Sequence, residues 1–389
     1  MKINHRVTRL VASSTLAITS RAKELKAEGY DVVNFAGGEP DFDTPQDIKD
    51  AAIKAIEQGF TKYTPSIGAV DLREAIADKL KKDNDLEYSP AHIAVSCGAK
   101  HSLFNTIFVL ADEGDEVLIP APYWVSYPEM VKLAGAEPRF IQTSEASNFK
   151  ITAKQLEESI TSQTKILILN SPSNPTGMVY TRQELEAIAQ VVVNNNIFVI
   201  SDEIYEKLLY ETDEYTSIAS LGKDIYNQTI TINGMSKAYA MTGWRIGYCA
   251  GPQEIMGYIK KVQDHSTSNP SSISQKAALQ ALKSSSESTV SMCAEFKNRR
   301  DLLMAGLDPI PEINYIKPLG AFYLFCDISP LGDSLPIAKK ILDEKHVAVI
   351  PGDGFGAPGF ARLSFATSVD RINEGTRRLA QFVKELKSR

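Results

Sequence analysis

The sequence predicts an α/β fold: a mostly parallel sheet with helices on both faces, joined to a smaller α+β region. Three observations carry this. From Ile93 onward, short apolar runs alternate with segments of helical period, the pattern of a parallel sheet with crossover helices. Several of those runs, such as Lys165–Asn170 and Ile197–Ser201, are nearly continuous in apolar residues, as in strands buried on both faces. After about Gln280 the pattern changes to one long helical section and then to short strands among prolines and glycines. With 389 residues, 43% hydrophobic and 23% charged, the chain is long enough for a large core and a second unit. The expected division is a large domain over 45–285 and a small one formed by 1–44 and 286–389.

Taken in order, residues 1 to about 30 read as a loop and a helix ending near Gly29, followed by a short strand over Asp31–Phe35. Two glycines and two prolines make Ala36–Pro45 a loop. Thr44-Pro45 is a good helix start, with threonine as cap and proline in the first helical position. Ile48, Ala51, Ala52, Ala55 and Ile56 keep helical spacing to Gly59, and a second helix runs over Asp71–Leu80 after the loop Thr61–Gly68. Strand Ile93–Ser96 then meets a tight turn at Cys97-Gly98-Ala99 and a helix to Leu110. Strand Glu116–Ile119 is expected to end at Pro120 and Pro122, before a helix over Tyr123–Leu133. Strand Lys165–Asn170, helix Arg182–Asn194, and strands Ile197–Ser201, Thr229–Ile232 and Ile246–Ala250 complete the large unit. A helix to Leu307 and strands near Ala321–Cys326, His346–Ile350 and Ala361–Ser364 form the small one.

Composition excludes several functions. The formal net charge is −6, from 42 basic and 48 acidic residues, with no basic run suited to nucleic acid. No apolar run is long enough to span a membrane. The basic bias before Glu24 reads as an ordinary first helix rather than a transit peptide, so the expected location is the cytoplasm. Cys97, Cys249, Cys293 and Cys326 are scattered without a C-x-x-C pair, which fits free thiols in a reducing compartment. The five histidines share no ligand spacing, so no protein metal site is expected.

The chemistry concentrates at Thr231–Tyr248. Lys237 sits among Met235, Ala238, Tyr239 and Ala240, surroundings that disfavour its charge and make it a usable amine nucleophile toward carbonyl compounds. Open parallel sheets bind ligands at the carboxyl ends of their strands. Four such ends carry unusual residues here: Ser96–Ala99, Asn174-Pro175, Asp202 with Tyr205, and Ser236-Lys237. The turn at Gly98 offers backbone N–H groups to a phosphate, to which Ser236 and Arg245 add a hydroxyl and a charge. Asp202 is suited to a protonated heterocyclic nitrogen, Tyr205 and Asn174 to a phenolate oxygen, and Trp124 or Tyr123 to stacking on a flat ring. Together these describe a pocket for pyridoxal 5'-phosphate (PLP). Each residue alone has an ordinary reading: Asp202 as a helix cap, Asn174-Pro175 as a turn, Trp124 as packing, Arg245 as an ion-pair partner. Their succession at consecutive strand ends favours the pocket.

The motifs Ala36-Gly-Gly-Glu-Pro-Asp-Phe42, Tyr63-Thr-Pro, Pro122-Tyr-Trp124, Asn170–Gly177, Ser201-Asp-Glu-Ile-Tyr205, Ser236-Lys237, Gly243-Trp-Arg-Ile-Gly247 and Arg362-Leu-Ser cover nearly the whole chain. With them the sequence resembles the fold-type-I, class I PLP-dependent aminotransferases, in the bacterial aspartate aminotransferase subgroup. One departure is Cys97, where relatives often have glycine; a side chain there would resist a positive φ. The resemblance implies that Lys237 is the Schiff-base lysine and proton shuttle and Asp202 the pyridinium partner. It makes Tyr205 and Asn174 the phenolate partners, Trp124 the stacking residue, and Ser236, Arg245 and the backbone of Gly98, Ala99 and Lys100 the phosphate site. Tyr63 resembles a tyrosine that reaches the neighbouring subunit's phosphate, implying a homodimer with shared sites. Arg362 is similar to the arginine that grips the substrate α-carboxylate, near the Gly38 backbone. Lys100, Ser13 and Thr15 are the candidates for a distal carboxylate. The implied activity is amino transfer between L-aspartate and 2-oxoglutarate. The alternatives are prephenate with glutamate, aromatic amino acids, or a PLP lyase of the same fold. A regulatory protein would need a DNA-binding extension, and an NAD-binding protein a G-x-G-x-x-G after Ile93–Ser96; neither is present in the sequence.

Overall fold

The computed structural model describes residues 3–11, 14–211, 214–284 and 286–388, apart from the side chains of 14–16. Its strands, in chain order, are β1 (Val33–Asn34), β2 (Ile93–Ser96), β3 (Glu116–Ala121), β4 (Glu137–Gln142), β5 (Thr164–Asn170), β6 (Phe198–Asp202), β7 (Thr229–Gly234), β8 (Gly247–Ala250), β9 (Asn314–Tyr315), β10 (Tyr323–Asp327), β11 (Val347–Ala348), β12 (Ile350–Pro351) and β13 (Phe360–Ser364). Seven of them form one sheet in the order β2-β8-β7-β6-β5-β3-β4. Strand β8 runs antiparallel to both its neighbours, and the remaining pairs are parallel.

Side-chain alternation explains the layers. Ile166, Ile168, Ile200, Ile230 and Ile232 point to one face, where they pack with Leu103 and Ile107 of helix Ala99–Leu110 and Met130 of helix Ser126–Ala134. Leu167, Leu169 and Val199 point to the other face, against Leu185 and Ile188 of helix Arg182–Asn194. Further along that second face, Val95 and Tyr248 meet helices Val70–Asn84 and Ser272–Lys283. A separate apolar cluster joins Ile18, Val33 and Phe35 to Phe296, Leu303, Phe325, Leu363 and Leu379, around the antiparallel sheet β12-β13-β10-β9. No described helix is long and apolar enough to cross a membrane.

Register sets the site. Asn170 pairs with Asp202, and Asp202 with Ile232. Ser96 and Gly234 both pair with Gly247, so β2, β5, β6 and β7 end along one edge of the sheet. At that edge a Cβ on Gly247 would collide with the backbone of Gly98 and Ala99; only glycine lets the start of helix Ala99–Leu110 lie directly on the sheet.

Several boundaries differ from expectation. Strand β3 runs through Pro120 to Ala121, because its pairing with β4 continues to Ala121 while its pairing with β5 stops at Leu118, so the missing donor of Pro120 breaks no bond to β5. The following helix starts at Ser126 rather than Tyr123. Pro45 occupies the cap position of helix Gln46–Glu57, and the Thr44 hydroxyl does not cap it. That hydroxyl instead donates to Ala240 O (2.8 Å) and accepts from Trp244 Nε1 (2.9 Å), tying the loop before the helix to the segment after Lys237. Strand β1 is only two residues long and pairs with β11. The expected strand over His346–Ile350 is split into β11 and β12.

Candidate active site

A cavity of about 430 Å³ opens at the sheet edge where β2, β5, β6 and β7 end. Its lining includes Gly38, Ala99, Lys100, Trp124, Asn174, Asp202, Tyr205, Ser236, Lys237, Arg245 and Arg362, so eleven positions singled out from sequence meet in one place. Gly98 does not line it but shapes its wall. Its φ is +93°, and a Cβ there would collide with the Arg245 guanidinium. The positive φ therefore falls on Gly98, and Cys97 carries no such strain. Tyr63 lies outside the cavity and is 89% exposed. Ser13 and the side chain of Thr15 lie outside the described residues.

Lys237 follows β7 and reaches across to the loop Ala36–Pro45, where Nζ donates to Gly38 O at 2.5 Å. It also lies 5.6 Å from the Phe322 ring centroid and 5.8 Å from that of Tyr205. Burial, with the positive charges of Arg362 and Arg245, pulls its amine down to about 8, against the opposing pull of Glu39 and Asp202. The neutral, nucleophilic form is therefore within reach near neutral pH.

Asp202, the last residue of β6, is buried, and its carboxylate accepts from Tyr127 OH (2.6 Å) and Ile204 N (3.4 Å). Burial raises it to about 6. A carboxylate held by two neutral donors and facing a cavity is electrostatically incomplete, and a cationic N–H on a ligand would complete it. Trp124 packs edge-on to Tyr127, with centroids 5.3 Å apart. Lys100 Nζ stands 4.7 Å over the Trp124 ring, and its amine is lowered by burial and then by Arg245.

At the opposite wall Arg362, from the centre of β13, is buried. Its guanidinium donates to Asn174 Oδ1 (3.0 Å) and Ala36 O (3.2 Å), while its Nε has no hydrogen-bond partner among the described residues. A buried guanidinium bonded only to neutral oxygens is ready for an anion. Arg245 adopts a left-handed conformation (φ +55°), which turns its side chain back over the start of helix Ala99–Leu110. There it donates to Thr242 O (2.8 Å) and Cys97 O (3.3 Å). With Ser236 and the free N–H groups of that helix start, it forms an anion cradle.

Sequence reasoning missed Tyr127, Glu39, Thr242 and Tyr323. Thr242 donates to Glu39 Oε2 at 2.7 Å, closing one side of the cavity. Tyr127 reads in sequence as a helix core residue; its place three residues after Trp124, just past a strand end, was the available signal. Tyr323 carried no local signal at all.

The family model "Aminotransferase class I and II" matches residues 30–379. The chain is 51% identical to the aspartate aminotransferase of Bacillus sp. (strain YM-2), with 98% of each chain covered. It is 44% identical to the aspartate/prephenate aminotransferase of Nitrosomonas europaea, over 98% of this chain and 100% of that one. Among solved structures, it is similar to the aspartate aminotransferase from Thermus thermophilus with maleate. The TM-score is 0.94 and the identity 42%, over 98% of this chain and 99% of that one.

Proposed function

The chain belongs to the class I and II aminotransferases, and from that membership we propose that it transfers the amino group of L-aspartate to 2-oxoglutarate, with PLP held on Lys237. The observation that carries this reading is the pairing, in one cavity, of a lysine amine brought down to about 8 with a buried carboxylate that has no bonded cation among the described residues. The residues fit the cofactor. The cradle of Ser236, Arg245 and the helix start suits its phosphate, Asp202 its ring nitrogen, Tyr205 and Asn174 its phenolate oxygen, and Trp124 its ring face. When bound, PLP supplies an electron sink that acidifies the α-carbon of an amino acid joined to it.

The protein's own groups do the rest. Arg362 holds the α-carboxylate as a two-pronged fork, placing the α-carbon near Lys237. Lys237 would take the α-proton of the substrate on Nζ as general base and hold it there for return as general acid. Gly38 O, now bonded to Lys237, keeps the amine pointed into the cavity. Asp202 keeps a proton on the ring nitrogen. The small unit, 1–44 with 286–389, would carry Arg362 and close over substrate held by the large unit, 45–285, to exclude water; its core joins residues 18–36 to 292–383 and rests on Phe149, Ile204, Leu208 and Tyr210 of the large one. Tyr63, exposed on this chain, is assigned to the phosphate site of a second copy in a homodimer.

The Nitrosomonas relative, an aspartate/prephenate aminotransferase, favours prephenate as a second acceptor. The visible spectrum of the purified protein tests the main reading. A violet band should convert to the near-ultraviolet band of the pyridoxamine form on adding L-aspartate, and return with 2-oxoglutarate. A band indifferent to aspartate moves the search to other donors, and no band after adding PLP overturns the assignment of Lys237.

A further inference from the structure

Tyr323, the first residue of β10, touches two functional residues that otherwise belong to opposite sides of the cavity. Its hydroxyl lies 2.9 Å from the Tyr205 hydroxyl, and its ring lies under the Arg362 guanidinium with Cζ 4.3 Å from the centroid. The ring is 1% exposed, and register places it between fixed neighbours: Tyr323 pairs with Ser364 and Phe325 with Arg362 across β10 and β13. Phe322 also holds the Tyr205 ring edge-on at 5.6 Å, so both phenols are locked in place.

We propose that Tyr323 is a positioning residue with two separable tasks: its hydroxyl donates to the Tyr205 oxygen and so directs the Tyr205 proton into the cavity, while its ring seats the Arg362 fork. The inference rests on the PLP reading above. Two facing hydroxyls have one donor between them, and the nearby cation decides which. The Arg362 charge acts on both phenols, but it stands directly over the Tyr323 ring, where it is the chief influence opposing burial, whereas at Tyr205 it ranks behind burial and the neighbouring phenol, so Tyr323 is the more acidified of the two. Tyr323 is then the donor, and Tyr205 keeps its own proton for a third group. Accepting one hydrogen bond also strengthens the one Tyr205 gives. With PLP bound as proposed above, that third group would be its phenolate oxygen. A stronger donor there would draw charge from the bound cofactor and lower the pH at which its visible band titrates.

The test separates the tasks with two variants. Y323F keeps the ring and loses the hydroxyl; Y323L loses both. The readouts are the pH midpoint of the visible band of the holoenzyme and the dissociation constant of succinate, a non-reactive dicarboxylate. Y323F should move the midpoint upward by about half a pH unit or more, in the same direction as Y205F but less far, and change succinate binding by less than about twofold. Y323L should in addition weaken succinate about tenfold, the upper part of the range for a desolvated cation–π contact. An unmoved midpoint in Y323F overturns the proposal, as does a loss of succinate binding in Y323F equal to that in Y323L. If Y323L does not fold, the midpoint of Y323F alone decides. A wild-type protein without a visible band would show the PLP reading itself to be wrong, and the proposal would fall with it.

Discussion

Asp202 and Glu203 are adjacent, both buried and both acids held above their ordinary range, yet they do different work. Asp202 points to the cavity face, where two neutral donors are its hydrogen-bond partners and space remains for a ligand. Glu203 points the other way and is closed in by protein. Ser201 and Ser217 hydroxyls donate to it at 2.8 and 2.7 Å, Asn84 Nδ2 lies 3.4 Å from its second oxygen, and Glu206, itself paired with Lys79, stands beside it. Burial and then the Glu206 charge push Glu203 up to about 8. The lesson is that a perturbed acid marks a functional site only where its bonding is left incomplete. A satisfied one is part of the frame.

The largest effect should come from breaking the Asp202 side. D202N keeps the acceptor for Tyr127 but can no longer balance a cation. It should lower kcat/KM by about a thousandfold or more, the scale of losing an essential charged group in a site, with little change in Tm. E203Q should leave kcat/KM within a few-fold, because Glu203 does not reach the cavity. Steady-state kinetics of both variants check the contrast; comparable losses in the two would erase it. E203A is the converse. It strands the Ser201 and Ser217 hydroxyls and opens a void, so it should destabilise by about 2–4 kcal/mol in urea unfolding while surviving protein still binds PLP.

Linkage sharpens the same comparison with a smaller effect. An acid whose pKa is higher in the folded than in the unfolded state binds more protons when folded, so its stabilisation is complete below the unfolded value and is lost as pH rises through the folded one. For Glu203 that window runs from its ordinary 4.5 to about 8. For Asp202 it runs from 3.8 to about 6. Unfolding free energy should therefore fall as pH rises from 5 to 8, and E203Q should flatten the decline. An unchanged slope in E203Q would mean that Glu203 is not the group that titrates.

How far the sequence reveals this depends on the range of the interaction. Lys237, Asp202 and Asn174 were legible because each sits in a local context unusual for its type, at a strand end or in a glycine- and proline-rich motif, whereas Arg362, in the middle of β13, was legible only through the resemblance carried by Arg362-Leu-Ser. Helix Arg182–Asn194 was legible to the residue, since Thr181 and Glu184 form a capping box and the apolar period is regular. Strand β4 was not: it is an edge strand with Pro138 and only two buried positions, so it lacks a two-residue pattern. The Thr44 cap was misread because its hydroxyl has a partner 196 residues away. Tyr127 with Asp202, and Tyr323 with Tyr205, are likewise pairs made only by the tertiary fold, 75 and 118 residues apart.

Lys100 gives the smallest effect. Like Asp202 it faces the cavity with a charge that protein groups leave partly unmatched, but its neighbour is a ring rather than a hydrogen-bond donor. Its position in the first turn of helix Ala99–Leu110 is unfavourable to the helix dipole, which a bound carboxylate would offset. K100A should raise KM for aspartate about tenfold, roughly 1.4 kcal/mol, while KM for alanine and tyrosine changes less than about twofold. The selectivity matters because K100A also removes the cation from the Trp124 face. If the residue served only to seat Trp124, all three amino acids would suffer alike, and the distal carboxylate would have to find its cation elsewhere.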